Sequence, residues 1–377
     1  MSKNLVICCD GTGNEINDAH SNVLKLYRVL TRSDDQRVFY DPGVGTLAAL
    51  NDWGRIKQNT ERVAGLALGY GLDQNVLDAY RFLVHNYDDG DRILMYGFSR
   101  GAYTVRVLAG FINVIGLLSP EQVHLSSNAL VAYKKISERD SFDRVRIYQQ
   151  VLRPVRPPIR FLGLWDSVSS VIVPRKDRLY LPSLHRLAYT ARNPSVESVR
   201  HALAIDERRR MFRPYLWTEG GEYWGGPFQS NDPVPQDVEQ VWFAGVHSDV
   251  GGGYPEEQSG LSKISLDWMI DESPAELKVV TQSRNQIVKG KKRRGSTREY
   301  AKPEAGAEIH DSMTRGWKPL EWLPKRNRSD RWQDRKSFLG FYLPRSEPRT
   351  IDADATVHDS VAERMSKVAG YEPVNLP

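Results

Sequence analysis

The sequence predicts an α/β fold: a mostly parallel sheet with helices on both faces, plus helical insertions that cap one end. Three observations carry this reading. Short apolar runs alternate with segments of helical period along the first two-thirds of the chain, the pattern of βαβ units. No internal repeat or low-complexity linker breaks that alternation. Each apolar run ends in a polar or glycine-bearing turn: Asp10-Gly11-Thr12, Asp41-Pro42-Gly43, Ser99, Asp166 and His247. Ligands of open parallel sheets bind beyond the carboxyl ends of the strands, so these residues are expected to converge.

The elements follow in order. Leu5 to Cys9 is an apolar strand leading into DGTGN, and a helix follows at about Asn22 to Leu30. Arg37 to Tyr40 reads as a second strand, ending in DPGVGT. A long helical stretch covers roughly Thr60 to Asn86, with a break near Gly69 to Gly71, where glycine weakens a helix interior. The turn Asp88 to Asp91 feeds the apolar run Ile93 to Phe98. After Ser99, residues Ala102, Val105, Leu108, Ala109 and Ile112 fall on a helical period. Helices are expected around Pro120 to Ile136 and Phe142 to Leu152, and a strand from Ile159 to Trp165. Ser195 to Ile205 reads as a helix, and Gln240 to Ala244 as a strand entering a glycine-rich loop. The expected organisation is a catalytic core over 1–270, with cap insertions at about 120–158 and 174–192. An extension over 271–377 then packs on the core and carries a basic loop at 289–298.

Ser99 lies in Gly-Phe-Ser-Arg-Gly, where a strand becomes a helix. That is the context a G-x-S-x-G nucleophile requires: a sharp strained turn, small flanking residues, and helix N–H groups beside the reacting oxygen. A serine hydroxyl needs a base, and the base needs an orienting carboxylate. The order Ser99, Asp166, His247 matches the Ser, Asp, His order of α/β-hydrolases. His20, His85, His124 and His185 lie away from strand ends. His201 reads as a helix residue, and His310 and His358 each precede Asp-Ser, as helix N-cap regions do. Asp249 competes with Asp166 as the acid but lies two residues from His247, on the same loop. Backbone N–H groups of Arg100 and of Gly11 or Thr12 are the expected oxyanion donors. Asp10, Asp41, Gly43 and Asp249 are expected around the substrate.

Composition bounds the rest. The chain has 377 residues, 40% hydrophobic and 26% charged, with a formal net charge of +5. Much of the excess sits in KGKKRRGSTR, from Lys289 to Arg298, read either as a solvated loop or as a contact for anionic lipid. Nucleic acid is not expected as a partner. Cys8 and Cys9 are adjacent on a strand and face opposite sides, so a disulfide between them is not expected and a reducing compartment fits. MSKNLVICCDG lacks a signal-peptide core, which suggests a cytoplasmic protein, with export by a route needing no cleaved signal still open. No cofactor and no metal is expected; Asp10, His247 and Asp249 have only weak ligand spacing. The opening VICCDGTGN resembles the start of haloacid-dehalogenase phosphatases, but Cys8 stands where their nucleophilic aspartate would be. GVGT and GGGY lack the full nucleotide-binding motifs. A non-catalytic binding module on a hydrolase fold remains the reading from a different class.

At CDGTGN, YDPGVGT, GFSRGAYTVR, FLGLWDSV, HALAIDERRRMFRP and VWFAGVHSDVGGGY the chain resembles a known family. This is the α/β-hydrolase family of the type VI secretion phospholipase effectors and their uncharacterised bacterial and fungal relatives. The resemblance implies a Ser-Asp-His hydrolase acting on ester bonds, those of glycerophospholipids in the best-known members, with Ser99, Asp166 and His247 as the triad. The effectors are often longer and carry membrane-docking segments. About 120 residues follow Tyr254 here, which sets the secreted, toxic role apart from the chemistry. The expected reaction is two-step acyl transfer on a lipid or small ester, with peripheral contact to an anionic membrane. MTRGWKPLEWLPKRNR, with Trp317, Leu320, Trp322 and Leu323, reads as a packed amphipathic segment or an interfacial one.

Overall fold

The computed structural model describes residues 2–11, 18–43, 60–136, 143–168, 172–174, 182–184, 187–225, 232–314, 317–322, 324–326 and 341–376. Thr12, much of the 174–192 insertion and Leu323 lie outside them. The central element is a seven-stranded parallel sheet. Its strands are β1 (Asn4–Cys9), β2 (Gln36–Asp41), β3 (Arg92–Phe98), β4 (Ile159–Trp165), β5 (Val196–Ala204), β6 (Asp237–Phe243) and β7 (Thr356–Val357). They lie in the order β7-β6-β5-β4-β3-β1-β2, and each neighbouring pair is parallel.

Helices cover both faces, as a parallel sheet requires. On one side α2 (Thr60–Asn86), α3 (Arg100–Val114) and α4 (Ser126–Ile136) pack on Leu5, Ile7, Cys9, Met95 and Leu164. On the other, α1 (Asn22–Val29), α7 (Gly260–Asp271) and α8 (Thr281–Ile287) pack on Val6, Cys8, Tyr96 and Phe243. Cys8 and Cys9 thus serve opposite cores, and both thiols are free and buried. The other α-helices among the described residues are α5 (Asp143–Leu152), α6 (His247–Gly251) and α9 (Asp359–Lys367). This is an α/β-hydrolase-like fold.

Two sequence expectations are overturned here. The segment read as a helix over Ser195 to Ile205 is β5, in the middle of the sheet. Both its faces are buried, so the two-residue alternation that marks a half-exposed strand is missing and Val196, Val199, Ala202 and Leu203 mimic a helical stripe. His201 is therefore a strand residue. The expected break at Gly69 to Gly71 is absent, and α2 runs unbroken through these glycines.

The chain beyond residue 272 builds onto the same sheet. Strand β7 pairs with the edge of β6. Ile351 and Val361 close a small core over Leu203, Ile205, Trp242 and Ala244.

Candidate active site

Ser99 is the single residue between β3 and α3. Its backbone sits at φ 56°, ψ −119°, a strained conformation costing about 1–3 kcal/mol for a residue with a side chain. The surroundings enforce it. Ser99 N–H donates to the Trp165 carbonyl at 3.0 Å, and its own carbonyl accepts the Tyr103 N–H at 3.3 Å. The flanking glycines are needed for close approach. A Cβ on Gly101 would stand 2.1 Å from the Cys9 carbonyl oxygen, and one on Gly97 would stand 2.5 Å from the Gly101 oxygen. Arg100 opens α3, so its N–H has no acceptor within the helix and lies at the positive end of the helix dipole.

Asp166 follows β4 at the matching position, also with positive φ (38°). Its carboxylate is wholly buried and takes four bonds. Oδ1 accepts from Ala204 N–H at 3.0 Å and Arg349 Nη1 at 2.5 Å. Oδ2 accepts from His247 Nδ1 at 2.5 Å and Arg349 Nη2 at 2.8 Å. Burial alone would raise this carboxyl. The Arg349 charge and the bonds from His247 and Arg349 outweigh it, and hold the group well below the usual carboxylate range.

His247 begins α6, rather than lying in a glycine loop as the sequence suggested. Its imidazole lies between the rings of Phe98, at 4.7 Å, and Phe212, edge-on at 4.8 Å. Phe98 immediately precedes Ser99, so the imidazole lies beside the serine turn. Since Asp166 accepts from Nδ1–H, the bonding network places a proton on Nδ1 and makes Nε2 the nitrogen that can act as base in the neutral ring. Between these two described residues, Ser99 and His247, no hydrogen bond is formed; such bonds are often long before substrate binds.

Two charged residues here escaped the sequence reading. Glu207 is buried, accepts the His247 backbone N–H at 3.2 Å, and pairs with Arg209 at 2.8 Å. Burial would raise its carboxyl, but the Arg209 bonds and charge lower it overall. Its signal was present, since Asp206-Glu207 directly follows an apolar run, but that run was read as a helix. Arg349 had no local signal: it sits in EPRTI, far along the chain from any strand that the sequence predicts.

The other expected site residues are placed as follows. The Gly11 N–H donates to Asp10 Oδ1 at 2.7 Å, so this amide is already engaged rather than offered to an oxyanion. Asp10 Oδ2 accepts from the Ser21 hydroxyl and from Tyr40 at 3.0 Å. Asp41 Oδ1 accepts the Gly43 N–H at 2.9 Å, and burial raises its carboxyl. Asp249 does not pair with His247: its Oδ2 accepts the Val246 N–H and its Oδ1 meets His310 Nδ1 at 2.6 Å. His310 therefore serves Asp249 and caps no helix, whereas His358 does cap α9. His201 Nε2 accepts the Ser167 N–H at 3.1 Å. No group of three His, Cys, Asp or Glu among the described residues is placed to hold a metal ion.

A parallel sheet whose strand ends carry a strained serine and a buried His–Asp pair defines an α/β-hydrolase architecture. The chain belongs to the family described as type VI secretion phospholipase effector Tle1-like, catalytic domain, whose model matches residues 3–272. An uncharacterised protein of Saccharomyces cerevisiae, YEL023C, is 35% identical over 232 residues, covering 57% of this chain and 33% of the yeast protein. Among solved structures, an uncharacterised protein from Pseudomonas aeruginosa is similar at 20% identity and TM-score 0.39, over 75% of this chain and 47% of that one. The Tle1 effector bound to the VgrG spike is similar at 18% identity and TM-score 0.36, over 69% of this chain and 52% of that one. The chain thus spans about a third of the yeast relative and about half of each solved chain.

Proposed function

We propose that this protein is a serine hydrolase that cleaves carboxylic ester bonds of a phospholipid or another lipid through an acyl-enzyme. The observation that carries the reading is the 2.5 Å contact between His247 Nδ1 and Asp166 Oδ2, with the imidazole packed against the residue that precedes the strained Ser99. Membership of a family described by phospholipase effectors supports the substrate class. In the first half-reaction His247 Nε2 takes the Ser99 proton as Oγ attacks the ester carbonyl. Asp166 orients the imidazole and balances the imidazolium without itself taking the proton. The Arg100 N–H supplies one oxyanion bond. With Gly11 engaged by Asp10, the second donor falls to Thr12, outside the described residues. His247 then protonates the leaving alcohol. Finally it activates the water that cleaves the acyl-enzyme. The reading requires no metal or cofactor.

Around this chemistry we place the core at 1–270, caps at about 120–158 and 174–192, and an extension from 271. No helix among the described residues is long and apolar enough to cross a membrane. We assign access to lipid to peripheral contact with an anionic surface, with the cytoplasm or export from it as the working location.

The test is lipid mass spectrometry after incubation with mixed phospholipids and short-chain esters, comparing wild type with Ser99→Ala. Losing a triad nucleophile costs several powers of ten in kcat, leaving only residual catalysis. Lipid products from a folded Ser99→Ala protein at the wild-type rate would end the proposal.

A further inference from the structure

We infer that Arg349, delivered by the chain beyond the family's catalytic domain, is the positioning residue for the His247–Asp166 pair; this rests on the reading of that pair as catalytic. The domain match ends at residue 272, yet the guanidinium of Arg349 is buried against Asp166. Its fork bonds both carboxylate oxygens, at 2.5 and 2.8 Å. The same two nitrogens donate onward to the Ala204 carbonyl at 2.9 Å and to the Phe212 carbonyl. A planar fork held at both ends fixes the plane of the carboxylate it binds. Oδ2 is thereby left facing His247 Nδ1. Phe212 closes the arrangement, its carbonyl holding Arg349 and its ring packing on His247.

The segment bearing Arg349 is itself fixed. Arg213 Nη1 donates to the Pro348 carbonyl at 3.0 Å and Arg213 Nη2 meets Glu347 Oε1 at 3.0 Å. Asn375 Nδ2 bonds the Arg349 carbonyl at 3.2 Å and the Ile205 carbonyl at 3.1 Å. Without Arg349, Asp166 would keep only the Ala204 N–H and the imidazole. A buried carboxylate so stripped of countercharge binds a proton more readily. The Asp166–His247 pair would then take up its proton at higher pH, and the imidazole would be lost as a base over part of the neutral range.

The experiment measures kcat, KM and the pH profile of kcat/KM on p-nitrophenyl butyrate across about pH 5 to 9. Full-length wild type, Arg349→Gln and Arg349→Lys are compared, with circular dichroism and thermal unfolding to check the fold. Arg349→Gln should lose about a hundredfold in kcat with KM little changed, and its acidic limb should move upward by about a pH unit. Arg349→Lys keeps the charge but not the fork, so its limb should stay in place while kcat falls about tenfold.

A folded Arg349→Gln whose activity falls evenly at all pH values, or does not fall, would overturn the inference and leave Arg349 a stabilising ion pair. Should Arg349→Gln not fold, Arg349→Lys decides, and wild-type kcat in that variant would overturn the positioning role. Ser99→Ala and Asp166→Asn run alongside. If they keep wild-type activity, the triad falls and this inference with it; if they are inactive while both Arg349 variants match wild type, this inference alone falls.

Discussion

Asp166 and Glu207 bring two buried negative charges into hydrogen-bond contact with His247, one at the ring and one at the backbone N–H, and each is held ionised by an arginine and by hydrogen bonds. Both carboxyls sit below their unfolded values of about 3.9 and 4.3. A lowered carboxyl contributes stability in full above its unfolded value and loses it as the pH falls toward the folded one. The fold should therefore weaken progressively as the pH falls below about 5. Glu207→Gln should cost about 1–3 kcal/mol at neutral pH, since it weakens the Arg209 pair and the bond from His247 N–H. Its acid-induced loss, followed by urea unfolding at several pH values, should be shallower than in wild type. An equally steep loss would assign the acid sensitivity elsewhere. At this scale Ser99, Asp166 and His247 were legible, because each ends an apolar run with a polar group. Their roles as a triad remain the proposal. Arg349 was not legible, because nothing in the spacing of a distant surface-like segment encodes which buried charge it will meet.

The elements were legible where an unbroken apolar run or a one-sided helical stripe ends at a breaker. β1, β3 and β4 emerge from their apolar runs, and α1 and α3 from their period. β5 is buried on both faces as those strands are, but Glu197, Ser198, Arg200 and His201 interrupt its apolar residues at helix-like spacing, so it reads as a helix and carries His201 and Glu207 with it. On β5 His201 is buried, and burial followed by the Arg106 charge lowers its imidazole to about 3. It therefore stays neutral and can accept the Ser167 N–H beside Asp166. The β1–β3–α3 junction offers a sharper test. Gly101→Ala puts a methyl against the Cys9 carbonyl, where only backbone could give way. Overpacking of this kind costs about 1–3 kcal/mol. Thermal unfolding should show that loss, with activity falling because the Ser99 turn moves. A variant as stable as wild type would mean that α3 shifts freely and that the turn is not held as described.

Across the whole molecule, the chain beyond residue 272 does more than cover an edge. It adds β7, closes a core on Ile351 and Val361, and delivers Arg349. The same region carries the basic run, whose residues from Lys291 to Arg298 are exposed. Lys292 pairs there with Glu299 at 2.7 Å, and Lys289 approaches Asp267 at 3.7 Å. Nearby in sequence, Trp317 packs edge-on against Phe212, while Trp322 is exposed beneath the Arg345 guanidinium. Of the two tryptophans of that segment, Trp317 is packed and Trp322 is open. Replacing Lys289, Lys291, Lys292, Arg293 and Arg294 with Gln should lower activity on anionic vesicles at low salt. Each such charge is worth at most about 1 kcal/mol near the surface, and the difference should fade as salt screens it. Activity on a soluble short-chain ester should not change. Equal activity on vesicles would make the run a solvated loop, and a collapse on both substrates would make it part of the fold.

Whether Ser99 is a nucleophile activated by His247 is decided by fluorophosphonate labelling followed by peptide mass spectrometry. One modified peptide is expected, with the adduct on Ser99, labelling that vanishes in Ser99→Ala, and labelling slowed by orders of magnitude in His247→Ala. An adduct on another serine, or no adduct on a folded protein that still hydrolyses ester, would contradict it.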